Sequence, residues 1–210
     1  MNRRRSLLVQ STKSQLPNGY KQVEYLQTDQ QGNAYIDTQY IYDIDSLISC
    51  EYLFNIKDTY AIFGIRSTNY KVVAVGTGYD LYYDRSTRTH IASSFGASVS
   101  TKYQIWQEPK KLFIKALESQ QVRHGDTDDN YQNDTNANLF IFTDNNNGIK
   151  GQRSKSLRIY SFSITKNNEL VVNLVPCKDN NNVPCFYDTV RKITLYNSST
   201  SGEFITGNEV

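Results

Sequence analysis

LPNGYKQVEYLQTDQQGNAYIDTQY (residues 16–40) joins a turn to two short runs that alternate between apolar and polar residues. Pro17 fixes its own φ and Gly19 permits a positive φ, so Pro-Asn-Gly is predicted to turn the chain into a first strand. In VEYL and YIDT every second side chain is apolar, as a strand with one buried face requires. We therefore expect Glu24 and Asp37 to face solvent or to bond the backbone of neighbouring loops.

The same strand pattern recurs along the rest of the chain. Runs rich in β-branched and aromatic residues are SLISCEYLFNI, YAIFGIRS, YKVVAVGTG, YDLYYD, KLFIKAL, NLFIFTD, SLRIYSFSIT and LVVNLV. Turn-forming residues separate them at 144–148, 166–169 and 179–182. No segment offers three helical turns with an apolar stripe. About ten to thirteen short strands, with frequent turn signals, predict an all-β chain folded as a two-sheet jelly-roll sandwich.

Charge divides the chain into an arm and a domain. Residues 1–15, MNRRRSLLVQSTKSQ, are polar and basic without a β period, and 16–210 contain no linker, so we predict an extended N-terminal arm followed by one domain. Of the 23 basic residues, five lie in positions 1–21, where there is no acidic residue, and the other 18 face 21 acidic ones. A basic arm on a mildly acidic body indicates a partner for the arm. It does not indicate a nucleic-acid groove across the domain.

The apolar runs are too short for export or membrane insertion. Leu7, Leu8 and Val9 are the whole apolar run after the arginines, whereas a secretory signal needs about 7–15 such residues. No stretch approaches the roughly 18 apolar residues of a spanning helix. We expect no export signal and no membrane partner.

Three cysteines, Cys50, Cys177 and Cys185, form no regular framework. We expect reduced, buried thiols, which fits assembly in a reducing cytoplasm. Pairing of Cys177 with Cys185 across a turn is left open. The two histidines, His90 and His124, are not at metal-ligand spacing from a cysteine.

An acidic loop gives one metal candidate. Asp126, Asp128 and Asn130 occupy the first ligand positions of an EF-hand-like loop, but Tyr131 stands where glycine is required and Ala137 where a bidentate glutamate is required. The motif therefore fails. An irregular Ca²⁺ site in this loop is the one cofactor alternative, beside a solvated acidic loop that binds nothing.

Catalytic patterns are missing from the sequence. A jelly-roll glycosidase needs two facing carboxylates. Of the nearest pairs, Asp80 and Asp84 have no glutamate beside them as proton donor, and Asp43 and Asp45 lie where a turn is predicted. No nucleophile elbow or triad pattern is present. We predict that the chain is not an enzyme, with a glycosidase-like hydrolase as the third alternative.

Tyrosines beside carboxylates are the candidate glycan-binding residues, because an aromatic platform with polar neighbours is typical of sugar sites. The candidates are Tyr79, Asp80, Tyr82, Tyr83, Asp84 and Tyr131. The alternative is half-buried packing, since alternating tyrosines are common in β proteins. Trp106, the single tryptophan, is predicted to lie in the core.

The motifs occur in an order that resembles one family. LPNGYKQVEYLQTDQQGNAYIDTQY, AIFGIRS, NLFIFTDNNNG with LRIYSFSIT, and LVVNLVPCKDNNNVPCFYDTVRKITLYNSSTSGEFITG span residues 16–207. This order resembles the concanavalin A-like, laminin-G-like jelly-roll domains of bacteriophages and prophages of gut bacteria. Val183-Pro184-Cys185 departs from it, because members often carry a glycine there. In the Tyr187-Asp188 turn, Asp188 is expected to accept backbone N–H bonds.

The resemblance implies a virion structural protein, assembled in the host cytoplasm, of the head-fibre, capsid-decoration or tail-associated type. Arg3, Arg4 and Arg5 would pair with carboxylates of a capsid or tail protein, while Leu7, Leu8 and Val9 would add a strand or fill a groove. The resemblance also favours a homo-oligomer, such as a trimer around the arm. Two other hypotheses remain open. The arm could bind packaged nucleic acid, which is the weaker hypothesis, or it could be a tail without a partner.

The leading alternative function is a carbohydrate-binding lectin, a receptor-binding module for host attachment through bacterial-surface or mucosal glycans. One protein can combine this role with the structural one.

Overall fold

The computed structural model describes residues 16–43, 45–57, 59–66, 71–77, 80–84, 88–93, 98–108, 111–126, 137–151 and 153–210, with the backbone alone for 59–60 and 71–93. Within these ranges every helix-or-strand element is a strand. The same ranges contain no helix that is long and apolar enough to cross a membrane.

Nineteen strands form in the described residues, and thirteen of them have four residues or more. They are β1 Lys21–Gln22, β2 Leu26–Thr28, β3 Ile36–Ile41, β4 Ser46–Phe54, β5 Thr59–Arg66, β6 Lys71–Thr77, β7 Asp80–Asp84, β8 Arg88–Ser93, β9 Lys102–Glu108, β10 Lys111–Ala116, β11 Val122–Asp126, β12 Asn138–Ile141, β13 Asn145–Asn146, β14 Ile149–Lys150, β15 Leu157–Lys166, β16 Glu169–Lys178, β17 Pro184–Asp188, β18 Ile193–Leu195 and β19 Phe204–Thr206.

The first sheet has eleven strands, in the order β11-β10-β9-β4-β15-β16-β17-β18. Strand β1 pairs with β16, and β2 lies between β15 and β19. The central pair is β4 with β15, which are antiparallel over almost their whole length. This long central pair positions the surface described below.

The second sheet has eight strands, in the order β14-β13-β5-β6-β7-β8, with β12 between β3 and β5. The described part of the chain therefore confirms an all-β protein with two sheets. Both sheets are mainly antiparallel, and the pairing of β13 with β5 is parallel.

The core lies between the two sheets. Phe63 of β5 meets Phe162 of β15 edge to face, with ring centroids 5.7 Å apart. At one side of this core, Phe142 contacts Phe186 and Phe204 at centroid distances of 6.3 and 5.0 Å. Side chains that alternate along β4, β9, β10 and β15 are fully buried here, because one face of each strand points at the opposite sheet.

The predicted turns form for the predicted reasons. Gly19 has φ of 86°, and the amide of Tyr20 donates to the Pro17 carbonyl at 3.1 Å. Asn167 and Asn168, between β15 and β16, both have positive φ, at 51° and 64°, as a two-residue hairpin turn requires.

One expected loop is shorter than predicted. The polar composition of residues 124–138 predicts an insertion between strands. In the structure His124 to Asp126 belong to β11, where they pair with Phe113 to Lys111 of β10, and Asn138 begins β12. The first carboxylate of the acidic run, Asp126, is the last residue of that strand.

Candidate binding surface

The outward face of the first sheet is where β9 and β10 present their alternate side chains. On β9, Tyr103 and Ile105 point inward and are buried, while Gln104 and Trp106 are only partly buried. On β10, Leu112 and Ile114 are inward, so Phe113 and Lys115 share the outward face. Consecutive residues of a strand point to opposite faces. The prediction that Trp106 lies in the core is therefore wrong.

An aromatic row crosses three neighbouring strands on this face. Trp106 pairs with Phe113 in the β9–β10 ladder, and Phe113 pairs with His124 of β11. The indole and phenyl rings are nearly parallel, with centroids 5.1 Å apart and an angle of 9°. The imidazole follows at 5.6 Å and 51°. Cross-strand aromatic pairs of this kind stabilise a sheet, and here they also place a large apolar surface beside solvent.

A depression borders Trp106 on the side of β4 and β15. We call it the Trp106 depression; it encloses about 520 Å³ and is lined by Leu47, Ile48, Ser49, Gln104, Trp106, Gln107, Lys115 and Thr165. Phe113 stacks on the indole from the β10 side, and Ser49, the partner of Trp106 on β4, lines the depression. Most of the polar lining consists of hydroxyl and amide groups, from Ser49, Thr165, Gln104 and Gln107.

Hydrogen bonds fix two parts of this lining. The buried Gln107 side chain accepts the backbone N–H of Ile48 through Oε1 at 2.8 Å, which ties β9 to β4 under the depression. The indole Nε1 of Trp106 donates to Oε1 of Glu108 at 3.4 Å. The ring is thus held from its edge as well as by the stacked phenyl group.

Charges on the outward face of the first sheet alternate in sign. Lys102 and Glu51 form an ion pair at 2.8 Å. On the other side, Lys111 lies opposite Glu108 on β9 and Asp126 on β11. This part of the face therefore carries no block of one sign.

The two ends of the domain meet at one edge. Leu16 and Tyr20 pack on the small cluster formed by Cys177, Cys185 and Tyr187. Lys21 forms an exposed ion pair with Glu209 at 3.2 Å. Around this junction, which we call the arm exit, residues 16–22 with Glu209 and Val210 line a second depression of about 500 Å³.

Two further contacts close the arm exit. Val23 forms a β-bridge with Glu209, and the amide of Val210 donates to the Gln22 carbonyl at 3.1 Å. Glu24 accepts the amide of Asn208 at 3.3 Å, so its carboxylate bonds loop backbone as predicted. The first residues of the domain, next to the arm, are therefore fixed by several contacts with the rest of the domain.

The predicted turn at Asp188 is confirmed. Its buried carboxylate accepts the amides of Val190 and Arg191 at 2.9 and 3.2 Å, and that of Asn173 at 3.2 Å. Arg191 also forms an ion pair with this carboxylate, with its Nε 2.5 Å from Oδ2. The guanidinium also donates to the Thr38 carbonyl at 2.7 Å, which joins the last motif of the chain to the first.

Several predicted site residues lie outside the described ranges. These are Arg3, Arg4, Arg5, Leu7, Leu8, Val9, Tyr79, Asp128, Asn130 and Tyr131. The structure therefore leaves the arm and most of the acidic loop as predictions.

The remaining candidates lie on two strands. Asp80, Tyr82, Tyr83 and Asp84 are all in β7, an inner strand of the second sheet between β6 and β8, where the backbone alone is described. Asp126 ends β11 in the first sheet. In the described part of the chain, no three His, Cys, Asp or Glu side chains come together as a metal site would need.

The other candidate carboxylate, Asp43, has a local role. It accepts the Ser46 hydroxyl at 2.9 Å and bonds the ammonium group of Lys166. Burial raises the pKa of Asp43, but the bonds from Lys166 and Ser46 outweigh it and leave the pKa below its ordinary value. The carboxylate thus remains ionised and serves the turn between β3 and β4.

The three cysteines are buried and free, as expected. Cys177 and Cys185 are direct partners in the β16–β17 ladder, with Sγ atoms 3.5 Å apart. The contact with Cys177, together with burial, raises the pKa of the Cys185 thiol well above its usual range. The Cys185 thiol is therefore protonated near neutral pH, which makes its oxidation slow.

Comparisons with known proteins show no family, and the likeness among solved structures is distant. No family model and no curated protein matches the chain. Among solved structures, the chain is similar to a scytalido-glutamic peptidase crystallised with a peptide-based transition-state analogue, at 12% identity and a TM-score of 0.34. That alignment covers 91% of this chain and 98% of the peptidase. A likeness at this level carries no functional argument.

The Trp106 depression was not among the predicted sites. Its sequence signal was available in YQIWQE, since Trp106 shares its alternation with the polar Gln104 and the charged Glu108. Polar residues at the alternate positions indicate the solvent face of a strand.

Proposed function

We propose that this chain is a bacteriophage virion structural protein that docks on the particle through residues 1–15 and displays residues 16–210 as a concanavalin A-like jelly roll. The head-fibre, capsid-decoration and tail-associated types all fit this proposal. It rests on the motif resemblance and on the basic arm. The observation that carries it furthest is the arm exit, where Lys21, Val23 and the last residues of the chain hold the start of the domain in place.

A fixed exit point suits an attachment segment. An arm that leaves a rigid domain at a bonded edge transmits load to the strands it is paired with. Here β1 pairs with β16, and Leu16 and Tyr20 pack on the cluster around Cys177. The arm itself brings three arginines, which form bidentate bonds to carboxylates, and an apolar triplet.

The motifs of the resemblance act mainly as fold determinants. Leu26, Ile36 and Thr38 of the opening motifs are fully buried, and Asp188 of the closing motif fixes a turn. A scaffold built this way is stable enough to be displayed, but a scaffold alone does not define a function. Particle association is therefore the property to measure.

The test is co-sedimentation with purified particles of the phage that encodes the chain, prepared without this protein. We expect the full chain to co-sediment, and both removal of residues 1–15 and the triple change of Arg3, Arg4 and Arg5 to serine to abolish it. The control replaces Lys57, Arg153 and Lys192 with serine, which removes the same charge from exposed positions of the domain.

Each other result has a definite meaning. If the full chain never joins particles, the proposal fails. If the truncated chain still joins them, the domain makes the interface and the docking role of the arm is wrong. Loss of binding after nuclease treatment of the particles would assign the arm to nucleic acid. Sedimentation equilibrium of the full chain tests the proposed trimer.

The second candidate function is a lectin, in which the domain binds glycans of the bacterial or mucosal surface. One observation favours it, the partly exposed indole beside the polar lining of the Trp106 depression.

A further inference from the structure

The Trp106 depression has the construction of a small ligand site. Its volume of about 520 Å³ lies within the range of about 300–1,000 Å³ that ligand sites occupy. Such sites combine apolar surface with a few polar groups that fix orientation. Here Trp106 supplies the apolar surface, while Ser49, Gln104 and Thr165 supply hydroxyl and amide groups.

The position of the indole favours stacking of a flat or ring-shaped ligand. Phe113 lies parallel to the indole and occupies one of its faces. On the β4 side, Ser49 is the ladder partner of Trp106 and lines the depression together with Thr165 of β15. An aromatic face carries partial negative charge and attracts the weakly positive C–H groups of an apolar ring face.

Local charge selects against polyanions. Nucleic-acid and phosphate sites need a surplus of cations, but on this face of the sheet Lys102 is paired with Glu51, and Lys111 lies between Glu108 and Asp126. Lys115 is the cation that lines the depression itself. The charge balance therefore fits a neutral ligand with many hydroxyl groups.

We propose that the Trp106 depression binds a neutral glycan. One sugar ring stacks on the open face of the Trp106 indole, and its hydroxyl groups bond the side chains of Gln104, Ser49 and Thr165, with Lys115 at the rim. This site is on the first sheet, whereas the tyrosines predicted as a glycan platform belong to β7 or lie outside the described ranges. The inference gives the lectin alternative its site and does not depend on particle docking.

Trp106 also provides the assay, because it is the single tryptophan of the chain. Intrinsic fluorescence of the full-length protein is followed during titration with neutral hexasaccharides of glucose, mannose, xylose and N-acetylglucosamine, in α- and β-linked forms. We expect at least one of them to shift the emission in a saturable way and to protect the indole from quenching by iodide.

Substitutions then locate the site by calorimetry with the oligosaccharide that binds. We expect Trp106→Ala to weaken binding by at least about tenfold, equal to ~1.4 kcal/mol, and Gln104→Ala to weaken it less. Trp106→Phe keeps an aromatic face and should retain part of the affinity. The matched control is Tyr160→Ala, which removes another partly buried aromatic ring, from β15, where the ring contacts Tyr25 and Lys102 away from the depression.

The other outcomes overturn the proposal. If none of the oligosaccharides changes the fluorescence at millimolar concentration, the depression is not a neutral-glycan site. If Trp106→Ala and Gln104→Ala bind as the unmodified chain does, the glycan lies elsewhere. Should an oligothymidylate bind in place of the sugars, the ligand is a nucleic acid. If Trp106→Ala does not fold, Gln104→Ala and the fluorescence of the unmodified chain decide the question. A failed co-sedimentation test would leave all of these readouts unchanged.

Discussion

Replacement of Asp188 by alanine should be among the most damaging single changes in this domain. The carboxylate is fully buried, accepts three backbone amides at 2.9–3.2 Å, and pairs with the guanidinium of Arg191. The loss comes mainly from the three backbone amides that lose their acceptor, at about 1–3 kcal/mol for each buried unsatisfied group, because the Arg191 side chain is 23% exposed and keeps its bond to the Thr38 carbonyl. We expect a total cost of about 3–5 kcal/mol. For a chain of this size, each kcal/mol lowers Tm by roughly 2–4 °C. We expect a loss of roughly 6–20 °C.

Two further variants test the cause of that loss. Asp188→Asn keeps the shape and an acceptor oxygen but loses the charge, so it should cost about 2 kcal/mol, within the range for hydrogen bonds to charged groups. Glu209→Ala removes an exposed carboxylate paired with Lys21 and should cost about 0–1 kcal/mol. Urea unfolding gives the three free energies. A loss below about 1 kcal/mol for Asp188→Ala, close to that of Glu209→Ala, would refute the reasoning.

Three further predictions concern oxidation and pH. Oxidised glutathione should slowly join Cys177 to Cys185 with release of two reduced glutathiones, because their Sγ atoms are 3.5 Å apart. The disulfide should add about 2.5 kcal/mol to the free energy of unfolding, and a mass loss of two hydrogens with a higher urea midpoint would check this. An equal rise of the urea midpoint in a Cys177→Ser variant would contradict it. The hydrogen bond from the amide of Val183 lowers the pKa of Asp179 in the folded protein. The unmodified chain should therefore be more stable than Asp179→Asn by a constant amount above about pH 4. This difference should disappear as the pH falls through the pKa of Asp179 in the folded protein. Burial lowers the pKa of Lys150 in the folded protein to about 8. Between about pH 8 and 10.4 the unfolded chain therefore binds more protons than the folded one, and the stability of the unmodified protein should rise with pH relative to that of Lys150→Met. Parallel pH profiles of stability for the two proteins would disprove it.

Local turn chemistry was readable from the sequence. Asn167-Asn168 and Asn147-Gly148 each adopt positive φ at two successive residues, and their side-chain types tolerate that conformation. The turn at Asp188 was equally accessible, since an aspartate bonds amides two or three residues further along its own chain. Such features depend on a few neighbouring residues, and no distant contact can change them.

The phase of a strand is harder to predict than its presence. YQIWQE fits a strand with either Tyr103 and Ile105 or Gln104 and Trp106 facing inward, and the size of tryptophan suggested the second choice. The structure has the first, because β9 lies between β4 and β10 and its inward residues meet Cys50 and Ile114 across the ladders. The aromatic row depends on this long-range register, so it could not be identified from any one strand.

The arm exit and the Trp106 depression lie on different strands, and this separation has a consequence for the two proposed roles. The arm exit is built on β1, β16 and the end of the chain, whereas the depression is built on β9, β4 and β15. Because β15 pairs with β4 on one side and with β16 on the other, the two sites are joined by a continuous, hydrogen-bonded sheet. A protein held by the arm exit would therefore present Trp106 from a rigid support, and docking and glycan binding need not compete. Removal of residues 1–15 should leave the response of the Trp106 fluorescence to sugars unchanged, while Trp106→Ala should leave co-sedimentation unchanged.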